Sequence, residues 1–226
     1  MINNIWSKTH NEREVDLLRP WYSPALSLLA SLRPYKNTII EIGCGNGELA
    51  SMVIQNYPEC FYLGLDGFLL SAIEAKQTKL DVALAEFEHH LPLSSSIADI
   101  VITLEVIEHI ARAEDFISEI NRILKPDGYL ILSTPNVGYF NFRLKYLIHA
   151  EVPGEGVHLR FFNRYLLQGL LRDAEFVIIK KKSITPIIGY NRLMRIFWNK
   201  NPRFVTVSDW IEGLIALDLI WLLKKI

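Results

Sequence analysis

The sequence predicts an α/β protein in which a largely parallel sheet is covered by helices on both faces. Runs of residues that are apolar on both faces alternate with amphipathic stretches of helical period, which is typical of parallel strands joined by crossover helices. A glycine-rich turn at residues 43–47 follows the first strand, and Asp66 ends the second. A glycine turn between a strand and a helix is typical of sheets that bind nucleotide-like ligands.

The predicted elements follow one another in regular alternation. The strands are Thr38 to Ile42, Phe61 to Leu65, Val82 to Phe87, Asp99 to Leu104, Tyr129 to Ser133 and Phe176 to Lys180. The helices are Glu48 to Tyr57, Leu69 to Lys79, Ala113 to Leu124 and Arg164 to Asp173, preceded by one or two entry helices between Glu12 and Leu32. The segment Arg143 to His158 is interpreted as an insertion over the sheet, where α/β folds place substrate loops.

Length, charge and cysteine content limit the class of protein. A chain of 226 residues suits one domain, here with a helical entry (1–36), a central core (37–136) and a substrate-side insertion with C-terminal strands (137–226). The formal net charge of −1 argues against a protein that holds nucleic acid through a strong positive field. Cys44 and Cys60 are too few for a disulfide framework, and the N-terminus lacks the apolar stretch of a signal peptide. A cytoplasmic location is therefore expected.

The C-terminal segment Trp210 to Ile226 is apolar but is interrupted by Glu212 and Asp218. It falls short of the roughly 20 uninterrupted apolar residues that a membrane span needs. We interpret it as a buried strand or helix. A peripheral membrane contact, with Lys224 and Lys225 at the lipid headgroups, is the alternative.

The glycine turn lies where a buried strand must bend sharply into a helix. Glycine permits left-handed dihedral angles and lets a ligand approach the backbone, and the helix start adds N–H groups without partners. Dinucleotide-binding turns have a glycine at the sixth position, which is Glu48 here, and no P-loop lysine follows. Asp66 lies 66 − 47 = 19 residues after Gly47, about the separation at which an acid reaches ribose hydroxyls. A helix N-cap is the structural alternative for Asp66.

These features, with several further motifs, resemble the class I S-adenosylmethionine-dependent methyltransferases. The matching segments are Glu41 to Gly47, the acid Asp66, Leu91 to Leu93, Ala98 to Ile102, Leu104 to His109 and Leu124 to Leu130, in family order. The resemblance implies a Rossmann-like, doubly wound sheet of seven strands, mostly parallel, with the last strand inserted antiparallel. The segment Ile215 to Leu223 is the expected last strand.

The resemblance also implies which residues bind S-adenosylmethionine. Glu41 is expected near the methionine amino group, and Leu104 and Glu105 are expected beside the methionine moiety. Glu86 and Phe87 match the acid and apolar pair at the adenine, although the family more often has aspartate at the first position. The remaining expected contacts, along the glycine turn and at the ribose, are Gly43, Cys44, Gly45, Gly47, Asp66 and Gly67.

A second cluster concerns the methyl acceptor. Glu105, Glu108 and His109 resemble the Glu-x-x-Glu-His motif of ubiquinone-pathway O-methyltransferases and small-RNA 2′-O-methyltransferases, where a later histidine completes a divalent metal site. His158 is the matching later histidine, and such a ligand set suits magnesium, manganese or zinc. Many relatives keep Glu-His without a metal and use the histidine as a base or as a pocket wall. His109 and His158 are therefore candidate catalytic residues in either case.

Methyl transfer from a sulfonium depends mainly on positioning and on the exclusion of water. We expect an enzyme that methylates a small molecule, preferentially at a hydroxyl of a quinone, a glycan or lipid precursor, or a secondary metabolite. The segment Ser133 to Tyr139, with Arg143-Leu144, also resembles the MetW-type methionine-biosynthesis proteins, which lack the Glu-x-x-Glu-His motif. This leaves a second hypothesis, a non-catalytic accessory protein that binds the cofactor.

Overall fold

Nine strands form one mixed sheet in the part of the chain that the structure, a computed structural model, describes: residues 19–77, 80–150, 156–187 and 203–226. In chain order the strands are β1 (Thr38–Ile42), β2 (Phe61–Asp66), β3 (Asp81–Leu84), β4 (Ala98–Leu104), β5 (Leu124–Pro135), β6 (Phe176–Lys181), β7 (Ile184–Pro186), β8 (Phe204–Thr206) and β9 (Asp218–Lys225). Across the sheet their order is β3-β2-β1-β4-β5-β9-β7-β8, and β6 also pairs with β9. The pairs among β1 to β5 are parallel, whereas β9 runs antiparallel to β5, β6 and β7.

Helices connect the strands and confirm the predicted alternation. They are α1 (Tyr22–Ser31), α2 (Glu48–Asn56), α3 (Leu69–Gln77), α4 (Ala113–Ile123), α5 (Phe140–His149), α6 (Arg164–Asp173) and α7 (Glu212–Ile215), and a 3-10 turn spans Ile107–His109. The part of the predicted entry helices that precedes Arg19 lies outside the described residues, as does the predicted end of α3 at Lys79.

The strands bury side chains on both faces of the sheet. Ile40 and Val101 pack on one face with the apolar side of α4, whereas Ile39 and Ile100 pack on the other with α1 and α2. Successive strand side chains point to opposite faces, so a strand that is covered on both sides shows no polar alternation. This is why the predicted strands are continuous apolar runs.

Two short strands raise the strand count above the seven that the resemblance implies. β7 and β8 pair with each other, and β7 also meets β9, so they extend the sheet at that end. The inserted antiparallel strand is confirmed, but it runs from Asp218 to Lys225 and not from Ile215 to Leu223. The residues just before it form α7, where the buried Glu212 carboxylate accepts a hydrogen bond from Trp221 Nε1 at 2.7 Å.

The C-terminal segment therefore belongs to the core of the sheet. Trp221 is fully buried, Lys224 pairs with Asp127 at 2.9 Å, and the Lys225 ammonium donates to two backbone carbonyl oxygens. The structure favours the predicted buried strand over a membrane contact through Lys224 and Lys225, because β9 packs between β5 and β6 and both ammonium groups have partners within the protein. None of the described helices has the length and apolar character required to cross a membrane.

The carboxyl ends of the parallel strands and the start of β9 lie along one edge of the sheet, here called the carboxyl edge. Because β9 is antiparallel, its first residue, Asp218, lies opposite Pro135 at the end of β5. The buried Asn136 fixes the segment before β9 against the end of β5. Its side-chain amide donates to the Ala216 carbonyl oxygen at 2.8 Å, and its backbone N–H donates to the Leu217 carbonyl oxygen at 2.8 Å. Ligands of open α/β sheets bind at such an edge.

Candidate functional site

The glycine turn lies against β2 and the segment after β4. The backbone N–H groups of Gly43 and Cys44 donate to the Leu65 carbonyl oxygen at 2.8 and 3.1 Å. All three glycines of the turn have positive φ, at 81°, 54° and 82°. A Cβ added at Gly43 would lie only 2.4 Å from Val106 Cγ2. The predicted need for glycine is thus confirmed at Gly43 by both conformation and space.

Asp66 links the end of β2 to the glycine turn. Its carboxylate is buried and accepts hydrogen bonds from the Gly45 N–H and the Phe68 N–H, both at 2.8 Å. The acid therefore supports the turn and the start of α3, as the structural alternative predicts. Gly67 follows directly, and a Cβ there would lie 3.6 Å from the Ala85 carbonyl oxygen. An ionised carboxylate can accept more than the two hydrogen bonds named here, so these bonds do not conflict with a ribose contact. The ribose contact itself stays a prediction.

Glu41 ends β1 beneath the turn. Its carboxylate is buried, accepts a hydrogen bond from the Tyr62 hydroxyl at 2.8 Å, and has a pKa raised to about 8 by that burial. Arg19 faces this group from the entry segment: its positive charge lowers the pKa of Glu41 and Glu105, and its guanidinium lies 3.8 Å from the Cβ position of Gly45. Arg19 could not be predicted as a site residue from the sequence, because an isolated arginine before a helix carries no motif of its own.

Of the two residues predicted to contact the adenine, Phe87 packs against the core and Glu86 is exposed to solvent. Phe87 packs toward Phe116, with ring centroids 6.3 Å apart, whereas the Glu86 side chain is exposed and lies 4.0 Å from His89. Both residues follow β3, which spans Asp81–Leu84 and therefore ends three residues before the predicted end at Phe87. The adenine contact stays a prediction for both residues.

Leu104 and Glu105 lie where β4 meets the carboxyl edge. Leu104 is buried, and Glu105 has a positive φ of 57°. The Glu105 carboxylate accepts a hydrogen bond from the Ser133 hydroxyl at 2.6 Å. Burial, together with the nearby Asp218 and Glu108 carboxyls, raises the pKa of Glu105 well above its usual value.

The two predicted catalytic histidines come together beside Glu108. The rings of His109 and His158 meet edge to face with centroids 4.9 Å apart. His109 Nε2 lies 3.7 Å from Glu108 Oε1, and His109 Nδ1 lies 3.2 Å from the Val157 carbonyl oxygen. The Glu108 backbone carbonyl accepts the N–H groups of Leu159 and Arg160, which holds the insertion against the 3-10 turn.

This cluster corrects the predicted metal set. The ligating atoms of Glu108, His109 and His158 lie within 4.8 Å of one another, but Glu105 is not a member of the group. Its carboxylate is drawn toward Ser133 on β5 by the hydrogen bond described above. Burial raises the pKa of Glu108 to about 8 and lowers the pKa of His158.

Asp218 is a second residue that sequence reasoning missed as part of the site. It is 5% exposed, burial raises its pKa to about 7, and its charge raises the pKa of both Glu105 and Glu108. Three carboxyl groups therefore lie near one another at the carboxyl edge. The signal was present in the sequence only as an acid that interrupts an apolar run.

Comparisons with known proteins agree with this architecture. A family model described as a methyltransferase domain matches residues 14–181. A probable S-adenosylmethionine-dependent methyltransferase of Mycolicibacterium smegmatis is 29% identical over 140 residues, covering 62% of this chain and 52% of that protein. A ubiquinone biosynthesis O-methyltransferase of Rickettsia bellii is 34% identical over 110 residues, covering 43% of this chain and 42% of that protein. The chain thus spans about half the length of these curated relatives.

Solved structures show the same Rossmann-like fold. A Thermotoga maritima methyltransferase, described as a possible histamine N-methyltransferase, superposes with a TM-score of 0.71 at 21% identity, with full coverage of both chains. A phosphoethanolamine N-methyltransferase of Haemonchus contortus, solved with S-adenosylmethionine, superposes with a TM-score of 0.62 at 14% identity, covering 90% of this chain and 52% of that chain. Since the family model covers most of the sequence, the chain belongs to the methyltransferase-domain family of class I S-adenosylmethionine-dependent methyltransferases.

Proposed function

We propose that this protein transfers a methyl group from S-adenosylmethionine to a hydroxyl of a small molecule. The observation that carries the proposal is the joint position of two groups at the carboxyl edge. The glycine turn with Asp66 forms one group, and Glu108, His109 and His158 form the other. The first suits the methyl donor and the second suits activation of a hydroxyl acceptor.

The charges around the turn fit the proposed methyl donor. S-adenosylmethionine carries an ammonium, a sulfonium and a carboxylate, and when bound it supplies an electrophilic methyl group. Buried Glu41 and Asp66 favour the cationic groups, and Arg19 provides the opposite charge that a carboxylate requires. Asn46 Oδ1 is buried and has no hydrogen-bond partner among the described residues, so the turn holds an acceptor for a polar ligand.

His109 has the orientation of a general base. The Val157 carbonyl oxygen only accepts hydrogen bonds, so Nδ1 carries the hydrogen of the neutral ring and Nε2 carries the lone pair. Burial lowers the pKa of His158, which keeps its ring neutral near pH 7. A neutral imidazole can take the proton of an acceptor hydroxyl as the oxygen is methylated.

A divalent metal fits the same three side chains, with two imidazoles and one carboxylate as ligands. A bound ion would lower the pKa of an acceptor hydroxyl. The Val157 carbonyl would then act on His109 as the outer hydrogen-bond acceptor that fixes the ring and its tautomer. The ubiquinone biosynthesis O-methyltransferase relatives favour a hydroxyl acceptor over an amine, although they share only part of the chain.

The donor site is tested by calorimetry with S-adenosylmethionine and S-adenosylhomocysteine. Asp66→Ala is expected to weaken the binding of S-adenosylhomocysteine by about 1.5–3 kcal/mol, the usual contribution of a hydrogen bond to a charged group. Asp99→Ala is the matched control, because Asp99 also accepts a backbone N–H, from Thr38 at 2.7 Å, but lies at the opposite edge of the sheet. Unchanged affinity in Asp66→Ala, or no binding by folded wild-type protein, would refute the assignment.

The metal site is tested without an acceptor by titrating the chelator-treated protein with Mn²⁺ or Zn²⁺. Wild-type protein is expected to bind one ion, and His158→Ala is expected to weaken that binding at least about tenfold. His89→Ala removes an exposed histidine away from the cluster and should leave the affinity unchanged. Equal affinities in both variants would refute the metal site and leave only the role of the histidines as general bases.

The acceptor is sought by screening cell extract fractions for release of S-adenosylhomocysteine. A hydroxylated product that fails to form with His109→Ala would support the proposed chemistry. The MetW-like alternative predicts a different outcome: tight cofactor binding, with no turnover of any fraction by wild-type protein.

A further inference from the structure

Asp218 and Ser133 lie on the same face of the sheet at the carboxyl edge. Across the β5–β9 pair, Asp218 lies opposite Pro135, and Ile220 lies opposite Ser133. Ser133 and Asp218 are therefore diagonal neighbours, a relation in which Cα atoms lie about 7–8 Å apart and side chains point to the same side. The Ser133 hydroxyl donates to Glu105 Oε1 at 2.6 Å and holds that carboxylate at this place. The Glu105 and Asp218 carboxyls thus lie close together, and the charge of Asp218 raises the pKa of Glu105.

The Asp218 carboxylate is buried without a partner. Its residue is 5% exposed, and no described residue donates a hydrogen bond to the carboxylate or forms an ion pair with it. Two other buried acids of the site do have donors. The Tyr62 hydroxyl donates to Glu41 at 2.8 Å, and the Thr134 hydroxyl donates to Glu108 at 3.2 Å. Buried polar groups in proteins have hydrogen-bond partners, so the unpartnered Asp218 points to a donor that a ligand supplies.

The free acceptors at this place suit a cationic donor. Glu105 is partly exposed, and its Oε2 accepts no hydrogen bond from a described residue, so it adds an acceptor to the two oxygens of Asp218. Arg19 lowers the pKa of Glu105, but no described cation lowers the pKa of Glu108 or Asp218. Three acidic groups therefore meet with one cation among the described residues. A primary ammonium offsets this excess of negative charge, and its three N–H groups form charge-assisted hydrogen bonds with carboxylates.

We infer that Glu105 and Asp218 form a subsite for a protonated amine of the methyl acceptor. The inference rests on the proposed function and names its substrate class, a small molecule that carries both a hydroxyl and an amine. Asp218 also acts electrostatically on Glu108, which places the subsite near the proposed base His109. An ammonium has no lone pair, so the hydroxyl and not the amine is the nucleophile while the amine is held there.

The ammonium of S-adenosylmethionine is a different cation with a different carboxylate. Glu41, its expected partner, lies on β1, and Asp218 lies on β9. The strands β4 and β5 separate these two strands. At about 4.8 Å between neighbouring strands, the separation is about 14 Å, so one ammonium cannot contact both carboxylates. The donor therefore leaves the Asp218 carboxylate for the acceptor.

The test uses protein saturated with S-adenosylhomocysteine and the small molecules of a cell extract. A cation-exchange resin near pH 7, where amines are protonated, separates these molecules into a bound and an unbound fraction. Ultrafiltration and mass spectrometry then identify what the protein retains, and wild-type protein is expected to retain a hydroxylated amine from the bound fraction. Asp218→Asn should weaken its binding about tenfold or more, because the amide keeps the size of the side chain but loses its charge. Asp99→Asn makes the same change at the opposite edge of the sheet and should behave like wild-type protein.

Asp218→Asn should bind S-adenosylhomocysteine as tightly as wild-type protein does, and weaker binding would assign Asp218 to the methyl donor and overturn the subsite. Retention of uncharged or anionic molecules alone, retention of nothing, or equal retention of the amine by Asp218→Asn would also overturn it. Turnover of the retained molecules is measured in parallel. A retained amine that is never methylated at its hydroxyl would refute the proposed function and leave an amine-binding site. A methylated acceptor without an amine would refute the subsite and leave the proposed function.

Discussion

Gly43→Ala is expected to destabilise the protein by about 2–5 kcal/mol and to weaken binding of S-adenosylhomocysteine. Two costs combine at this position. A non-glycine residue at positive φ costs about 1–2 kcal/mol, and an inserted methyl group in a packed site costs about 1–3 kcal/mol. Gly43 has a φ of 81°, and its added Cβ would meet Val106 Cγ2 at 2.4 Å. Urea unfolding and calorimetry measure the two effects.

The chain offers a matched control for each cost. Gly156 has the same φ of 81°, but an added Cβ would meet nothing within 4 Å, so Gly156→Ala should show only the conformational cost. Val106→Ala removes the clashing methyl groups, so Gly43→Ala combined with Val106→Ala should be less destabilised than the sum of the single variants. Equal losses in Gly43→Ala and Gly156→Ala would show that the close contact at Gly43 is unimportant.

Raising the pH from about 5 to about 8 is expected to destabilise the cofactor-free protein substantially. Burial raises the pKa of Glu41 and Glu108 to about 8 and that of Asp218 to about 7. The folded protein therefore keeps protons that the unfolded chain has released above its ordinary carboxyl pKa. Stability falls with rising pH between the unfolded and folded pKa values, by up to about 1.4 kcal/mol per pH unit for each such group, and levels off above them.

Glu41→Gln isolates one contribution to this dependence. The amide keeps an oxygen for the Tyr62 hydroxyl but has no charge to bury, so the variant should lose less stability than wild-type protein over the same pH range. Glu119→Gln is the control: Arg122 lowers the pKa of Glu119, so its contribution is lost only at acidic pH. Urea unfolding across the pH range decides the question. A Glu41→Gln slope identical to that of wild-type protein would contradict the assigned burial.

The features that could be predicted from sequence are local ones. The bounds of β1 and α6, and those of α2 to within one residue, follow from apolar runs and helical periods, which reflect how each element is covered and depend little on distant partners. The glycine turn could also be predicted from the sequence, because positive φ and close backbone contact restrict the residue type directly. His109 and His158 were also paired correctly, through the spacing of a family motif and not through any local preference.

The remaining features depend on contacts between distant parts of the chain. The short pair of β7 and β8 has no sequence signal of its own, because three-residue strands are formed by their partners. Arg19 and Asp218 become part of the site only when the entry segment and β9 are brought to the carboxyl edge. Glu105 is not part of the predicted metal cluster, because its carboxylate accepts a hydrogen bond from Ser133 on β5.

The amino-acid sequence was thus sufficient for the alternating elements, the glycine turn and the family, since these depend on periodicity and backbone conformation. The tertiary structure decided the sheet's edge strands, the charges around the turn, and the exposure of α5 in place of the buried C-terminal segment. Both segments are apolar, and burial differs only because β9 finds hydrogen-bonding partners on both sides whereas α5 packs through one side alone. Composition cannot distinguish these two outcomes, because the free energy of an apolar segment depends on what covers it.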